Sequence, residues 1–375
     1  MAETSTAEAK LTDDQWAEVL VDGLASDGIP NMRPVHAWGI GATGFFVPSD
    51  VAADYCQAAH FKVPSPGQKP VPVTARFSNG SGSATNDGED GPHDGWSDVR
   101  GLAVRFHLTE SIATDLIGMT LNCFFSPTPE KFGDFAVDAK PAACARESPW
   151  RKILDLLRLT LPMPDPYPGQ TYRPDEGALK HANGNPKARL AVFKAASIGA
   201  PVSYVRATYH AVHTFIVRGA DGIERPVRFT WQPIAGALNI RPEIKPGVPN
   251  PDYDRFLSAS YLQYELRHRL EVKKQPARFS LMMMIGETGD DFNDSTVPWP
   301  PRRKRVEMGT LTLDTVAEVE MLSFNPGLLI DGIQPSGDPV LKTRTLAYEY
   351  SSSLRGGKRC PFQVDHRQGK PDHVE

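Results

Sequence analysis

Hydrophobic and polar positions alternate with a period of two in VPVTARFSNG (71–80) and in VRGLAVRFHL (99–108), and each run predicts a half-buried strand. DLIGMTLNCFF (115–125) is apolar enough for a buried strand. HTFIVRGADGIERPVRFTWQP holds two alternating runs around Asp221-Gly222, which predicts a hairpin. ARFSLMMMIGE and RVEMGTLTLDTV read as further strands. Helical periodicity marks DDQWAEVLVDGL, with Asp13 or Asp14 as its cap, then WRKILDLLRLTL, NPKARLAVFKAA, YDRFLSASYLQYELRHRLEV and DPVLKTRTLAYEYSSS. Antiparallel strand groups with helices segregated between them define an α+β class: a closed or nearly closed antiparallel β-barrel with external helices.

Proline and glycine, 34 and 31 residues, are spread along the whole chain and predict many loops. NGSGSATNDGEDGPHDG (79–95) has no apolar anchor and reads as a mobile surface loop. The proline-rich PMPDPYPGQTYRPDEG separates two of the helices. No composition break splits the body, so the expected organisation is a polar arm over 1–29, one domain over 30–357 and a tail over 358–375.

Composition narrows the class. With 375 residues, 40% hydrophobic and 23% charged, the chain is long enough for a sizeable core. A net charge of -4 argues against nucleic acid or an anionic membrane as the main partner. The N-terminus has no basic segment followed by an apolar run, and no stretch approaches the roughly 18 apolar residues of a membrane span, so a cytoplasmic protein is expected. Cys56, Cys123, Cys144 and Cys360 are scattered without a C-x-x-C pair, which suggests free thiols rather than a zinc site or a disulfide framework.

Two places carry candidate chemistry. In RTLAYEYSSSLRGG, Arg344 precedes Tyr348 by one helical turn and Arg355 follows it by seven residues. A guanidinium held beside a phenol favours phenolate, although surface packing of two long side chains is the commoner reading of that spacing. His36 stands in MRPVHAWGIGATGFF, three residues after Arg33 and before a glycine-rich apolar run. It is either a satisfied core histidine or a proton shuttle in a mostly dry pocket.

The segments RPVHAWGIGATGFF, ARFSNGSG, SDVRGLAVRFHL, DLIGMTLNCFFSPTPEKFGDF, YHAVHTFIVRGADG and FNPGLLIDGIQPSGDPVLKTRTLAYEY run in order over residues 30 to 357. Together they resemble the haem catalase superfamily, and most closely its small catalase-related peroxidases. The resemblance implies a catalase-like barrel in a minimal version and haem b as cofactor. It makes Tyr348 the axial ligand of the haem iron, with Arg344 beside the phenolate and Arg355 on the same side. His36 becomes the distal proton shuttle, Ser78 its hydrogen-bonding partner, and Val35 the small residue that narrows the channel above the iron. Arg33 and Arg76 match the arginines that pair with haem propionates. Phe124 and Phe132 match aromatic positions over the haem, and Phe324 and His213 match proximal positions; for these four, ordinary core packing is the alternative.

The match departs at one position. The family carries a distal asparagine after D-L-x-G, where DLIGMT places Met119. A thioether cannot donate the hydrogen bond that an amide gives to peroxide, and it is itself oxidisable. Asn122 is a possible substitute, although strand alternation argues against equivalence. The expectation is a haem peroxidase with weak catalase activity. It would reduce organic hydroperoxides or hydrogen peroxide through a ferryl intermediate, with an external electron donor. The resemblance leaves a true catalase or a fatty-acid hydroperoxide isomerase or lyase as alternatives. A haem carrier fits worse, because it needs no distal proton shuttle. Because the chain ends soon after Tyr348, larger hydroperoxides are expected to reach the iron. A monomer or dimer is expected, rather than a larger homo-oligomer locked by a long arm.

Overall fold

A computed structural model describes residues 11–25, 33–63, 69–80, 98–138, 177–240 and 260–356. The expected loop over 81–95, the helix WRKILDLLRLTL, the segment 162–176, the start of the charged helix and the tail lie outside the described residues, as do Cys144 and Cys360.

The elements in chain order are α1 (Asp13–Ala25), β1 (Gly39–Pro48), α2 (Ala52–Tyr55), β2 (Val71–Asn79), β3 (Arg100–His107), β4 (Ala113–Met119), α3 (Pro129–Asp138), α4 (Gly177–Gly184), α5 (Arg189–Ser197), β5 (Tyr209–Arg218), β6 (Glu224–Pro233), α6 (Tyr261–Arg267), β7 (Ala277–Ile285), β8 (Arg305–Ala317), β9 (Ile333–Pro335) and α7 (Pro339–Leu354). The sheet runs β4-β3-β2-β1-β8-β7-β6-β5, and β4 meets β5 again through the pair Met119 and His210. This closes an eight-stranded antiparallel barrel, with β9 added on the far side of β5. Closure removes the exposed edges that an open sheet would present.

Alternation decides what fills the barrel. On β2, Val73, Ala75 and Phe77 point inward, and across the ladder they meet Phe106, Val104 and Leu102 of β3. The interior is aromatic: Phe46 packs edge-on against Phe61, Phe106 and Trp231. The opposite face of β1 to β4 carries polar and small residues, and the candidate site lies there.

Several boundaries differ from the expectations. α1 is capped by Thr12, not by Asp13 or Asp14: the Gln15 amide donates to Thr12 Oγ1 at 3.3 Å, and Gln15 Oε1 accepts from the Thr12 amide at 2.9 Å. The two bonds form a reciprocal capping box. α1 also packs on the body, because Leu20 joins Phe124, Phe132, Val212 and Val340 in one buried cluster. The strand expected through 115–125 stops at Met119. Among the described residues the charged helix covers only Tyr261–Arg267, and it ends in a π-helical turn over His268–Val272. The last expected helix is present as α7, capped by Asp338, whose side chain accepts from the Val340 amide ahead of Pro339.

Candidate active site

Strand register builds the first wall. Gly39, Ser78, Gly101 and Met119 pair successively across β1, β2, β3 and β4, so they form one row on one face of the sheet. Directly paired residues point to the same side. Ser78 therefore stands between two bare positions. A Cβ at Gly101 would lie 2.7 Å from Ser78 Oγ and 2.9 Å from His36 Nδ1, which leaves the glycine as the floor on which the imidazole rests. His36 Nδ1 is 3.0 Å from Ser78 Oγ.

The backbone of His36 has φ 56°, a left-handed conformation unusual for a residue with a side chain. Arg76 holds it there: Nη1 donates to the His36 carbonyl at 2.8 Å and Nη2 to the Ala37 carbonyl at 3.0 Å. Gly39 makes room for this clamp, since a Cβ there would meet the Arg76 guanidinium carbon at 2.6 Å. Burial, then the nearby positive charges of Arg76, Arg344, Arg100 and Arg33, pushes the His36 pKa down to about 3. The imidazole is neutral at physiological pH, and Arg344 of α7 is near enough for its charge to contribute.

The second wall is α7. Arg344 Nη2 donates to the Tyr348 phenol oxygen at 3.2 Å, and its Nη1 donates to His213 Nε2 at 2.8 Å. His213 Nδ1 lies 2.7 Å from Asp338 Oδ2. Since arginine only donates, His213 Nε2 must be the acceptor and Nδ1 must carry the proton that goes to Asp338. One chain of bonds thus runs from the helix cap to the phenol. Burial holds the His213 pKa below its ordinary value, and that of Asp338 is also low, with its bond to His213 among the causes that outweigh its burial.

A bulge delivers His213. Between Ala211 and Phe215, β5 advances four residues while β6 advances two, from Phe229 to Val227. The extra residues break the alternation and turn the imidazole toward α7. Phe124 lies under the Arg344 guanidinium at 5.1 Å and 5.6 Å from the His213 ring, with Phe132 edge-on to it at 5.1 Å. Phe124 therefore sits against the Arg344 and His213 group, and Phe132 backs Phe124. Phe324 is buried beneath Arg105, which forms a buried two-pronged ion pair with Asp115.

The arginines form a third group. Arg33 Nη1 and Arg76 Nε both bond the carboxylate of Glu320, the latter at 2.8 Å, and Arg33 Nη2 donates to the Leu322 carbonyl at 2.7 Å. Arg355, bonded to Ser351 Oγ at 2.8 Å, lies close enough to Arg76, Glu320 and Tyr348 to feel their charges. Burial and mutual repulsion bring Arg33 down to about 9 and lower Arg355 as well. Two guanidinium groups share one carboxylate, with the third close by.

Met119 and Asn122 separate clearly. Met119 is half-buried on the same face as Ser78 and packs against the Phe124 cluster and the Leu121 and Cys123 cluster. Asn122 is exposed, and its Oδ1 accepts from Lys194, so it does not replace the missing amide. The strand has ended three residues earlier, and the turn carries Asn122 to the surface. Val35 stands at the rim, 37% exposed. Sequence reasoning missed Asp338, Glu320 and Gly101. Asp338 had a local signal, an aspartate immediately before a proline at a helix start.

Residues 4–160 and 173–362 match the family model described as Catalase. The chain belongs to the catalase family. It is 31% identical over 357 residues to a catalase-related peroxidase of Mycolicibacterium paratuberculosis, covering 92% of this chain and 96% of that protein. It is 27% identical to a catalase-related peroxidase of Synechococcus elongatus, covering 86% of this chain and 83% of that one. Against Catalase-2 of Bacillus subtilis, also 27% identical, it spans 47% of the longer protein. The crystal structure of a fungal catalase superposes with a TM-score of 0.67 at 22% identity, covering 92% of this chain and 64% of that one, which shows the fold.

Family membership implies a haem cofactor, and the residues fit that group. Tyr348 offers a phenol oxygen beside a guanidinium. Arg33, Arg76 and Arg355 offer an excess of positive charge suited to carboxylates, only part of which Glu320 offsets through its bonds to Arg33 and Arg76.

Proposed function

We propose that this chain is a haem-dependent peroxidase that reduces organic hydroperoxides or hydrogen peroxide with electrons from an external donor, with haem b as the cofactor. The observation that carries the reading is the convergence of two pairs, His36 with Ser78 and Arg344 with Tyr348, on a space bordered by the arginine cluster.

Tyr348 would hold the iron, and Arg33, Arg76 and Arg355 would hold the carboxylates. The bound haem supplies the redox centre at which the peroxide bond breaks.

His36 does the proton work. Neutral at physiological pH, it accepts a proton from the bound hydroperoxide at Nε2 while Nδ1 donates to Ser78 Oγ. It then returns that proton to the departing oxygen, so that water or an alcohol leaves. Ser78 fixes the ring plane and the tautomer, and Gly101 sets its depth. Arg344 places a fixed positive charge beside the Tyr348 oxygen, and its orientation is held by His213 and Asp338.

Met119 supports peroxidase over catalase turnover. The row that carries Ser78 has no amide donor at its fourth position, so a second hydrogen peroxide lacks the hydrogen bond that would orient it as a reductant. Losing one placed donor costs about a hundredfold in rate. An apolar thioether also suits the alkyl portion of an organic hydroperoxide.

Among the described residues no helix is long and apolar enough to cross a membrane. The test of the reading is oxygen release from hydrogen peroxide beside dye oxidation with cumene hydroperoxide, both on haem-loaded protein. Rapid dye oxidation with little oxygen is expected. Vigorous oxygen release without dye turnover would make the protein a catalase.

A further inference from the structure

Glu320 has no place in the reaction above, yet it joins the two arginines at the edge of the site. Its carboxylate is 47% exposed, while Arg76 is 4% exposed and Arg33 13%. One oxygen takes Arg76 Nε at 2.8 Å, and the other takes Arg33 Nη1 and also Arg76 Nη2, the latter at 3.1 Å. Nη1 and Nη2 of Arg76 also donate to the carbonyls of His36 and Ala37, so among the described residues four of its five N–H groups are engaged and one on Nη1 is left for a ligand. A rigid planar fork cannot turn toward one set of partners without leaving the other. The carboxylate therefore fixes the guanidinium plane, and that plane fixes the left-handed backbone of His36.

Charge gives a second argument. Arg33, Arg76 and Arg355 carry three positive charges and Glu320 one negative, which leaves two. Two net positive charges complement a dicarboxylate ligand without displacement of Glu320. A displaceable competitor would instead leave the cluster over-charged once its ligand had bound.

We propose that Glu320 is a positioning residue: through Arg76 it sets the orientation of His36, and it stays in place as the resident anion of a cluster matched to a dicarboxylate cofactor. The second half rests on the haem reading; the first does not.

Selective 15N labelling of histidine separates the two. In the haem-free chain, Glu320→Gln should shift the His36 imidazole and amide resonances and leave those of His60, inside the barrel, in place. Arg76→Lys should move the same His36 signals. Glu320→Asp, which keeps the charge, should move them less. In haem-loaded protein, where a base must take the proton of hydrocyanic acid as cyanide binds, Glu320→Gln should slow cyanide association about tenfold or more while the haem stays bound. Unmoved His36 signals in Glu320→Gln would overturn the positioning role. A gain in haem affinity of about tenfold, followed by Soret titration, would show that Glu320 competes with the cofactor and would overturn the resident-anion role. Failure of the wild type to bind haem would sink the haem reading while the His36 signals still decide the link through Arg76.

Discussion

Ser78 and Met119 pair from opposite sides with the same residue, Gly101, so the hydroxyl and the thioether flank one bare patch of sheet on which His36 rests. Changing either neighbour changes the same small volume. Met119→Asn should raise oxygen release from hydrogen peroxide by about tenfold or more, because an amide can donate where sulfur cannot. Dye oxidation with cumene hydroperoxide should change much less. An oxygen electrode and a dye assay on the same preparations decide it. If neither rate moves, the thioether does not set the balance.

Gly101→Ala inserts a methyl carbon where Ser78 Oγ and the His36 ring already stand, at 2.7 and 2.9 Å. One of them has to shift. The barrel should persist, since the methyl points away from the aromatic interior, and peroxide turnover should fall by about a hundredfold, as in the loss of oriented proton transfer. Circular dichroism and single-turnover kinetics separate these effects.

Asp338 serves two structures at once. It caps α7 and accepts from His213. Asp338→Ala should lower stability by about 1 kcal/mol or more through the lost cap alone. Asp338→Asn can retain the cap through its amide oxygen but turns an NH2 donor toward the His213 Nδ1 proton, so the bond from Arg344 to His213 weakens and stability falls as well. The discriminating measurement is the charge-transfer spectrum of the ferric haem, which reports on the Tyr348 oxygen. Asp338→Asn should shift that spectrum in protein that is still folded at the temperature of the measurement.

Acid should destabilise the fold well before it protonates the site. Burial holds His60, like His36, at about 3 and His210 at about 4, all below the ordinary value near 6.5. A histidine whose folded pKa is depressed leaves the unfolded chain as the better proton acceptor, so stability is full above pH 6.5 and falls as pH drops toward 3 to 4. Each unit of separation is worth about 1.4 kcal/mol. Urea unfolding at pH 7.5, 6 and 5 should show a progressive loss, and His60→Phe should reduce the slope. Per-site turnover of the still-folded enzyme should stay flat over that range, because His36 remains neutral.

Tyr348→Phe removes the oxygen to which Arg344 donates. Haem should bind more weakly and lose the phenolate charge-transfer band, while the apo chain stays folded because Tyr348 is only half-buried. Retention of that band would mean that another residue holds the iron.

The sequence by itself determined the closing helix, the spacing that brings Arg344 and Tyr348 to one helix face, and most of the strands, though not β1 or β9. These features are local: alternation of two places Val73, Ala75 and Phe77 on one face, and a spacing of four places the guanidinium over the phenol. The resemblance to the haem catalase superfamily implied one site for Arg33, His36, Ser78 and Arg76 before any contact was known. Tertiary structure alone decided what those residues touch. Register brought Gly101 beneath His36, a bulge in β5 turned His213 toward Arg344, and a turn after β8 set Glu320 on Arg33 and Arg76. It also sent Asn122 to Lys194. Each depends on ladder offsets and loop paths between residues far apart in the chain, which side-chain periodicity does not encode.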